Sequence, residues 1–163
     1  MLQSAQRPYS GAVACVQERP ECEDPAVPSD LEQLAALIAA HPLPVCAELT
    51  PFDLLATDRA AGTVQLEFAA QPAFGNHFGD VQGGFVVAML DVPLSLAALL
   101  ATGAFCPTVE IKTTFLARAG IGVCAAEGRV LRAGRSLVFT EARLWSPDGK
   151  LAAHATATAA VPG

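Results

Sequence analysis

Two features of the segment from Asn76 to Asp91 could do chemistry. Gly83 and Gly84 follow Asn76-His77-Phe78-Gly79-Asp80-Val81-Gln82 and open a long apolar run. Glycines at a helix start let another molecule approach the backbone, and the free amides there carry partial positive charge suited to an oxygen turning negative. That is an oxyanion hole in prospect, although glycines that merely permit tight packing would read the same. Asp91 is the sharper signal. A carboxylate among Ala88, Met89, Leu90, Val92 and Leu94 bears a desolvation cost unless something compensates it, and groups so placed are often functional. A purely structural Asp91, bonded to backbone or to Ser95, is the alternative. Ser95 follows four residues on, on the same helical face, within reach of Asp91 or of a water beside it.

The elements that must position these groups follow from pattern. Gly83 to Ala101 is apolar except for Asp91 and Ser95. Its length is borderline for a membrane span of about 20 residues, but Pro93, two glycines and a central acid point to a helix buried in protein, hence its lack of a polar face. Ahead of it, Ser29-Asp30-Leu31-Glu32 is a capping box. The helix it opens carries Leu31, Leu34, Ala35, Leu37 and Ile38 on one face and ends at His41-Pro42. A hairpin is expected over 47–58 and 62–70, turning at Ala60-Ala61-Gly62, with Val64, Leu66 and Phe68 alternating in its second arm. After the apolar helix come four strands, 108–116, 123–131, 136–145 and 151–161. The last of them sets Ala153, Ala155, Ala157 and Ala159 on one side and His154, Thr156 and Thr158 on the other. Such an order predicts an α+β fold, an antiparallel sheet wrapped around one long central helix; a doubly wound fold would need more helices between strands.

Composition bounds the partners. The 163 residues fit one domain, expected over 29–163, with 1–28 a Pro- and Glu-containing tail. Hydrophobic residues make up 52% and charged residues 16%, enough apolar material for a core and for burial against another subunit. A net charge of −6 gives no reason to expect nucleic acid or an anionic membrane as partner. Five scattered cysteines (Cys15, Cys22, Cys46, Cys106 and Cys124) without CxxC spacing, and no secretory signal, suit reduced thiols in the cytoplasm. No metal or separate cofactor is expected.

The run Asn76-x5-Gln82-Gly83-Gly84-x6-Leu90-Asp91 resembles the signature of hotdog thioesterases of the PaaI-like and 4-hydroxybenzoyl-CoA thioesterase group. The similarity continues through Thr108–Leu116, Gly134-Arg135-Ser136 and Asp148–Thr156, covering about residues 45–161. The resemblance implies a hotdog fold and hydrolysis of an acyl-CoA thioester. Asp91 would serve as nucleophile or general base, and Gly83 would donate its amide to the carbonyl oxygen. Asn76 and Gln82 would orient the thioester or the attacking water, with Ser95 supporting Asp91. Arg135 and Ser136 match a region that contacts CoA, which enters as part of the substrate. Where many members of the group carry His, this chain carries Gln82, which hydrogen-bonds but exchanges no proton near neutral pH. Acid–base work then falls to Asp91 and the leaving-group proton to water; His77 is a conceivable substitute.

Gly83 and Asp91 are eight residues apart, roughly 12 Å along a helix. One thioester carbon cannot touch both within a single chain. If both act on it, the pair must come from different subunits; a homodimer is then the minimum, and tetramers of paired dimers are common in such families. Two other functions use the same residues. One is a non-catalytic domain that binds or senses acyl-CoA, which Gln82 favours. The other is hydratase chemistry, which would call for a His after Asp91 where this chain has Ser95. The remaining candidates read blandly. Cys106 and Cys124 suit the core, Trp145 and His154 a sheet edge or interface. Lys112 and Arg118 suit a solvated face or a CoA phosphate. Phe85, Met89, Leu94 and Phe105 suggest an apolar acyl pocket.

Overall fold

A computed structural model describes residues 28–42 and 44–163; the tail expected over 1–28 lies, but for Pro28, outside the described residues. In chain order come α1 (Asp30–Ala39), β1 (Phe52–Asp58), β2 (Thr63–Ala70), α2 (Gly83–Thr102), β3 (Thr108–Phe115), β4 (Gly122–Ala133), β5 (Leu137–Trp145) and β6 (Leu151–Ala160). The six strands form one antiparallel sheet in the order β1-β2-β4-β5-β6-β3. This is the expected α+β, hotdog arrangement: a sheet curled about one central helix.

The sheet's inner face alternates as a half-buried strand should. Val64, Leu66 and Phe68 of β2, Cys124 and Ala126 of β4, Ala142 and Leu144 of β5, and Ala153, Ala155 and Ala157 of β6 meet α2 in one core. Small side chains on β6 leave room for the helix. Ten residues of α2 are buried, among them Met89, Leu90, Leu94 and Leu99. The helix is long and apolar enough to cross a membrane, yet its apolar residues are spent on the sheet. Gly103 closes it in the left-handed conformation (φ 72°), its N–H bonding the Leu99 carbonyl at 2.8 Å.

Gly128 sits where α2 crosses β4. A Cβ at that position would lie 2.2 Å from the Pro93 carbonyl oxygen, so only glycine lets helix and sheet approach this closely. The capping box at α1 forms as expected. Ser29 N–H donates to Glu32 Oε2 at 2.7 Å, and Glu32 N–H donates to Ser29 Oγ at 3.2 Å. One strand differs. The first hairpin arm begins at Phe52 rather than 47, because Val45–Glu48 forms a turn of 3-10 helix behind Pro44. The hairpin turn lies where expected, with Gly62 at φ 67°.

Candidate active site

The segment leading into α2 is stitched down before the helix begins. Val81 N–H donates to the Ala119 carbonyl and Gln82 N–H to that of Phe74, each at 2.8 Å. Gly75 and Val81 form an antiparallel bridge, and the Phe74 ring stacks on Phe85 at 4.2 Å. These contacts fix the direction in which Gly83 enters the helix.

Asn76 shapes the loop in between. Its Oδ1 accepts from the Phe78 and Asp80 amides at 2.8 and 3.3 Å, an Asx turn that leaves the side-chain NH2 free to donate. Gln82 is the N-cap of α2: its Oε1 accepts from the Gly84 amide at 2.6 Å. The Phe85 and Val86 amides go to the Gln82 carbonyl. Among the described residues the Gly83 amide has no acceptor. A positively polarised N–H thus stands open at the helix start, with no acidic residue in the first turn to neutralise it.

Gly83 borders a cleft of about 290 Å³, lined among others by Asn76, Phe78, Asp80, Phe115 and Arg118. Phe115 forms the wall against Gly83, its ring only 3.3 Å from where a Cβ would stand. Arg118 pairs with Asp80 at 3.3 Å and lies over the Phe78 ring, 5.9 Å from its centre; it borders the cleft while its side chain remains largely exposed to solvent. His77 packs its ring on Phe78, the centroids 4.0 Å apart, and lies outside the cleft.

Asp91 is elsewhere, two turns along α2. Its side chain is partly buried, and Thr108 at the start of β3 donates to its Oδ1 at 3.1 Å. Ser95 makes no hydrogen bond to it; Thr108 takes the part that helical spacing suggested for Ser95. Arg135 and Ser136 lie exposed in the β4–β5 turn. Directly after that turn, Val138 packs with Ala98 of α2, fifteen residues and about 22 Å beyond Gly83. The row Val138–Ala159–Thr108 across β5, β6 and β3 sets that turn at the Asp91 end of the protomer. One protomer therefore carries two separated groups: Asn76, Gln82 and Gly83 at one end, and Asp91, Thr108, Arg135 and Ser136 toward the other.

Two sequence readings need correction. Met89 and Leu94 are buried in the core and do not line the cleft beside Gly83, while Phe105 packs edge-on against His41. The aromatic walls beside Gly83 are instead Phe78 and Phe115. Thr108 was missed as well. Its position in a strand gave no sign that its hydroxyl would reach a helix residue seventeen positions earlier. Cys106 and Cys124 are buried as expected.

Comparison with known proteins matches this architecture. The family model described as the thioesterase superfamily matches residues 78–153, a span from the cleft loop into β6. A Saccharolobus solfataricus protein named as an esterase is 33% identical over 95 residues, 58% of this chain and 68% of that protein. The chain belongs to the thioesterase superfamily, with the hotdog fold. The structure of a phenylacetic acid degradation-related protein from Ralstonia eutropha is 36% identical, with a TM-score of 0.70 over 79% of this chain and 98% of that one. A Streptococcus mutans protein bound to acetyl CoA shares the fold at 20% identity, with a TM-score of 0.63 over 69% of this chain and 89% of that one.

Proposed function

We propose that this protein hydrolyses an acyl-CoA thioester to a free acid and CoA, in a site that two protomers build together. The observation that carries the proposal is the course of β3 along α2. Thr108, at the start of β3, bonds Asp91, whereas Phe115, at its end, packs against Gly83. β3 is also an open edge of the sheet, with Val109 and Phe115 more than half exposed at 64% and 54%. Antiparallel pairing of two β3 edges about a two-fold axis brings the Thr108 end of one strand beside the Phe115 end of the other. Asp91 of the partner subunit then approaches the Gly83 amide, and the 12 Å that separates them within one chain ceases to matter.

In such a site the Gly83 N–H binds the carbonyl oxygen as it gains charge, with Asn76 Nδ2 as a second donor nearby. The partner's Asp91 takes the proton of the attacking water or attacks the carbon itself, its orientation held by Thr108. The cleft walled by Phe78 and Phe115 receives the acyl group. Arg135 and Ser136, at the Asp91 end of the partner, are then disposed toward CoA. The relative from Ralstonia eutropha and the acetyl-CoA complex of the same fold support the choice of substrate class.

The test is a panel of acyl-CoA esters with thiol release as readout, for the wild type and for Asp91→Ala. At least one ester is turned over, and the substitution lowers kcat by about 100-fold or more, the scale of a lost general base. Unchanged turnover rejects the role of Asp91. A domain that only binds acyl-CoA is the second reading, favoured by a Gln82 that exchanges no proton; tight binding without turnover across the panel would establish it.

A further inference from the structure

The Gln82 carboxamide has its two ends assigned by one bond. The Gly84 amide can only donate, so the group it meets at 2.6 Å is the carboxamide oxygen, and the NH2 end is left to donate elsewhere. Gln82 is exposed, and it is absent from the lining of the cleft that holds Gly83, Asn76 and Phe115. Two donors without acceptors among the described residues therefore flank this helix start. Gly83 lines the cleft, and Gln82 is not among the residues that line it.

A thioester under hydrolysis gathers negative charge at two atoms in turn, the carbonyl oxygen as water adds and the sulfur as the C–S bond breaks. With the acyl group in the cleft and its oxygen on Gly83, the sulfur emerges on the outer side, where Gln82 stands. We infer that Gln82 is the leaving-group donor: its Nε2–H bonds the sulfur as that atom becomes a thiolate. This rests on the hydrolase reading above. The water oxygen forms the new C–O bond and the Asp91 carboxylate takes the water's proton. The C–S electron pair departs with sulfur, which takes its proton from solvent. The amide stabilises this charge without giving up a proton. The imidazole of His77 is packed against Phe78 outside the cleft.

The test compares two thioesters of one acyl group. The first is the CoA ester, whose alkanethiol has a pKa near that of cysteine, about 8.5. The second is the ester of a nitro-substituted thiophenol, a better leaving group that needs less help. Gln82→Ala should lower kcat on the CoA ester by about tenfold or more, the scale of a hydrogen bond to a charged group. On the thiophenol ester the loss should be less than about threefold. Both assays use one enzyme sample, so partial unfolding cancels from the comparison. Gln82→Glu keeps an oxygen for the Gly84 amide but has no N–H; it should melt no lower than the wild type and repeat the pattern. Equal losses on the two esters overturn the assignment, leaving Gln82 as a donor to the carbonyl or a helix cap alone. A wild type inactive on both esters overturns the hydrolase reading and this one with it.

Discussion

At the scale of single residues, the Gly83 amide can be removed without disturbing the helix. Gln82 has φ −64° and ψ 138°, the extended conformation required before proline, and Gly83 is the first helical residue, where proline is tolerated. Gly83→Pro should therefore fold and lose the donor, with kcat falling about 100- to 1000-fold. Gly83→Ala keeps the N–H and asks only that the end of the Phe115 ring give a few tenths of an ångström, so most of the activity should survive. Parallel losses in the two variants would mean that space at Gly83, not its N–H, is what matters. Thr108→Val removes the bond to Asp91 and should lower kcat about tenfold with little change in KM, whereas Thr108→Ser keeps a hydroxyl and most of the rate. Asp91 and Gly83 were legible in sequence because both lie on one uninterrupted run whose pattern is local. Thr108 was not, since its role depends on β3 returning along α2, a fact of tertiary packing. Asp91 is partly buried in the single protomer rather than fully enclosed by its apolar sequence neighbours, for the same kind of reason. A helix touching a sheet on one side leaves its other face open, whatever residues flank it in sequence.

Among the elements, the junction of α2 with β4 has the least slack. Gly128→Ala would drive a methyl group into the Pro93 carbonyl, and neither backbone can yield alone. Overpacking of this kind costs about 1–3 kcal/mol or more, which should appear as a fall of several degrees in thermal midpoint. At α1 the two Ser29 hydrogen bonds, the backbone one first, hold the Glu32 carboxyl below its ordinary value of 4.5. A lowered pKa in the folded state means the capping box contributes fully above that ordinary value and is lost as pH falls through the lowered one. Glu32→Ala should therefore melt lower than the wild type at neutral pH, and the gap should close at the acid end of a titration. Strands and helices were readable where alternation or an unbroken apolar run declared them, as in β2, β6 and α2. The start of β1 was not: Val45–Glu48 is turned into a short 3-10 helix by its local backbone, a choice no periodicity of four residues can reveal.

For the molecule as a whole, the proposed site is divided between subunits, and that division can be counted. Co-expressing Asp91→Ala with Gly83→Pro gives three pairings, and only the mixed pair holds one site with both groups intact. On mixed dimers isolated by two affinity tags, about half of wild-type activity per dimer should return from two inactive parents. No recovery would mean that Gly83 and Asp91 serve within one chain.

The two rims of the sheet are unlike each other. β3 is regular over Glu110–Phe115, but on the opposite rim β1 is broken by an irregularity between Leu54 and Ala56 and is covered by α1. A rim interrupted in this way is a poor template for another strand. Were both rims equally inviting, copies could add head to tail without end and grow into fibres. If protomers join through β3 as proposed, that one receptive rim is used up and growth along the sheet would stop at two.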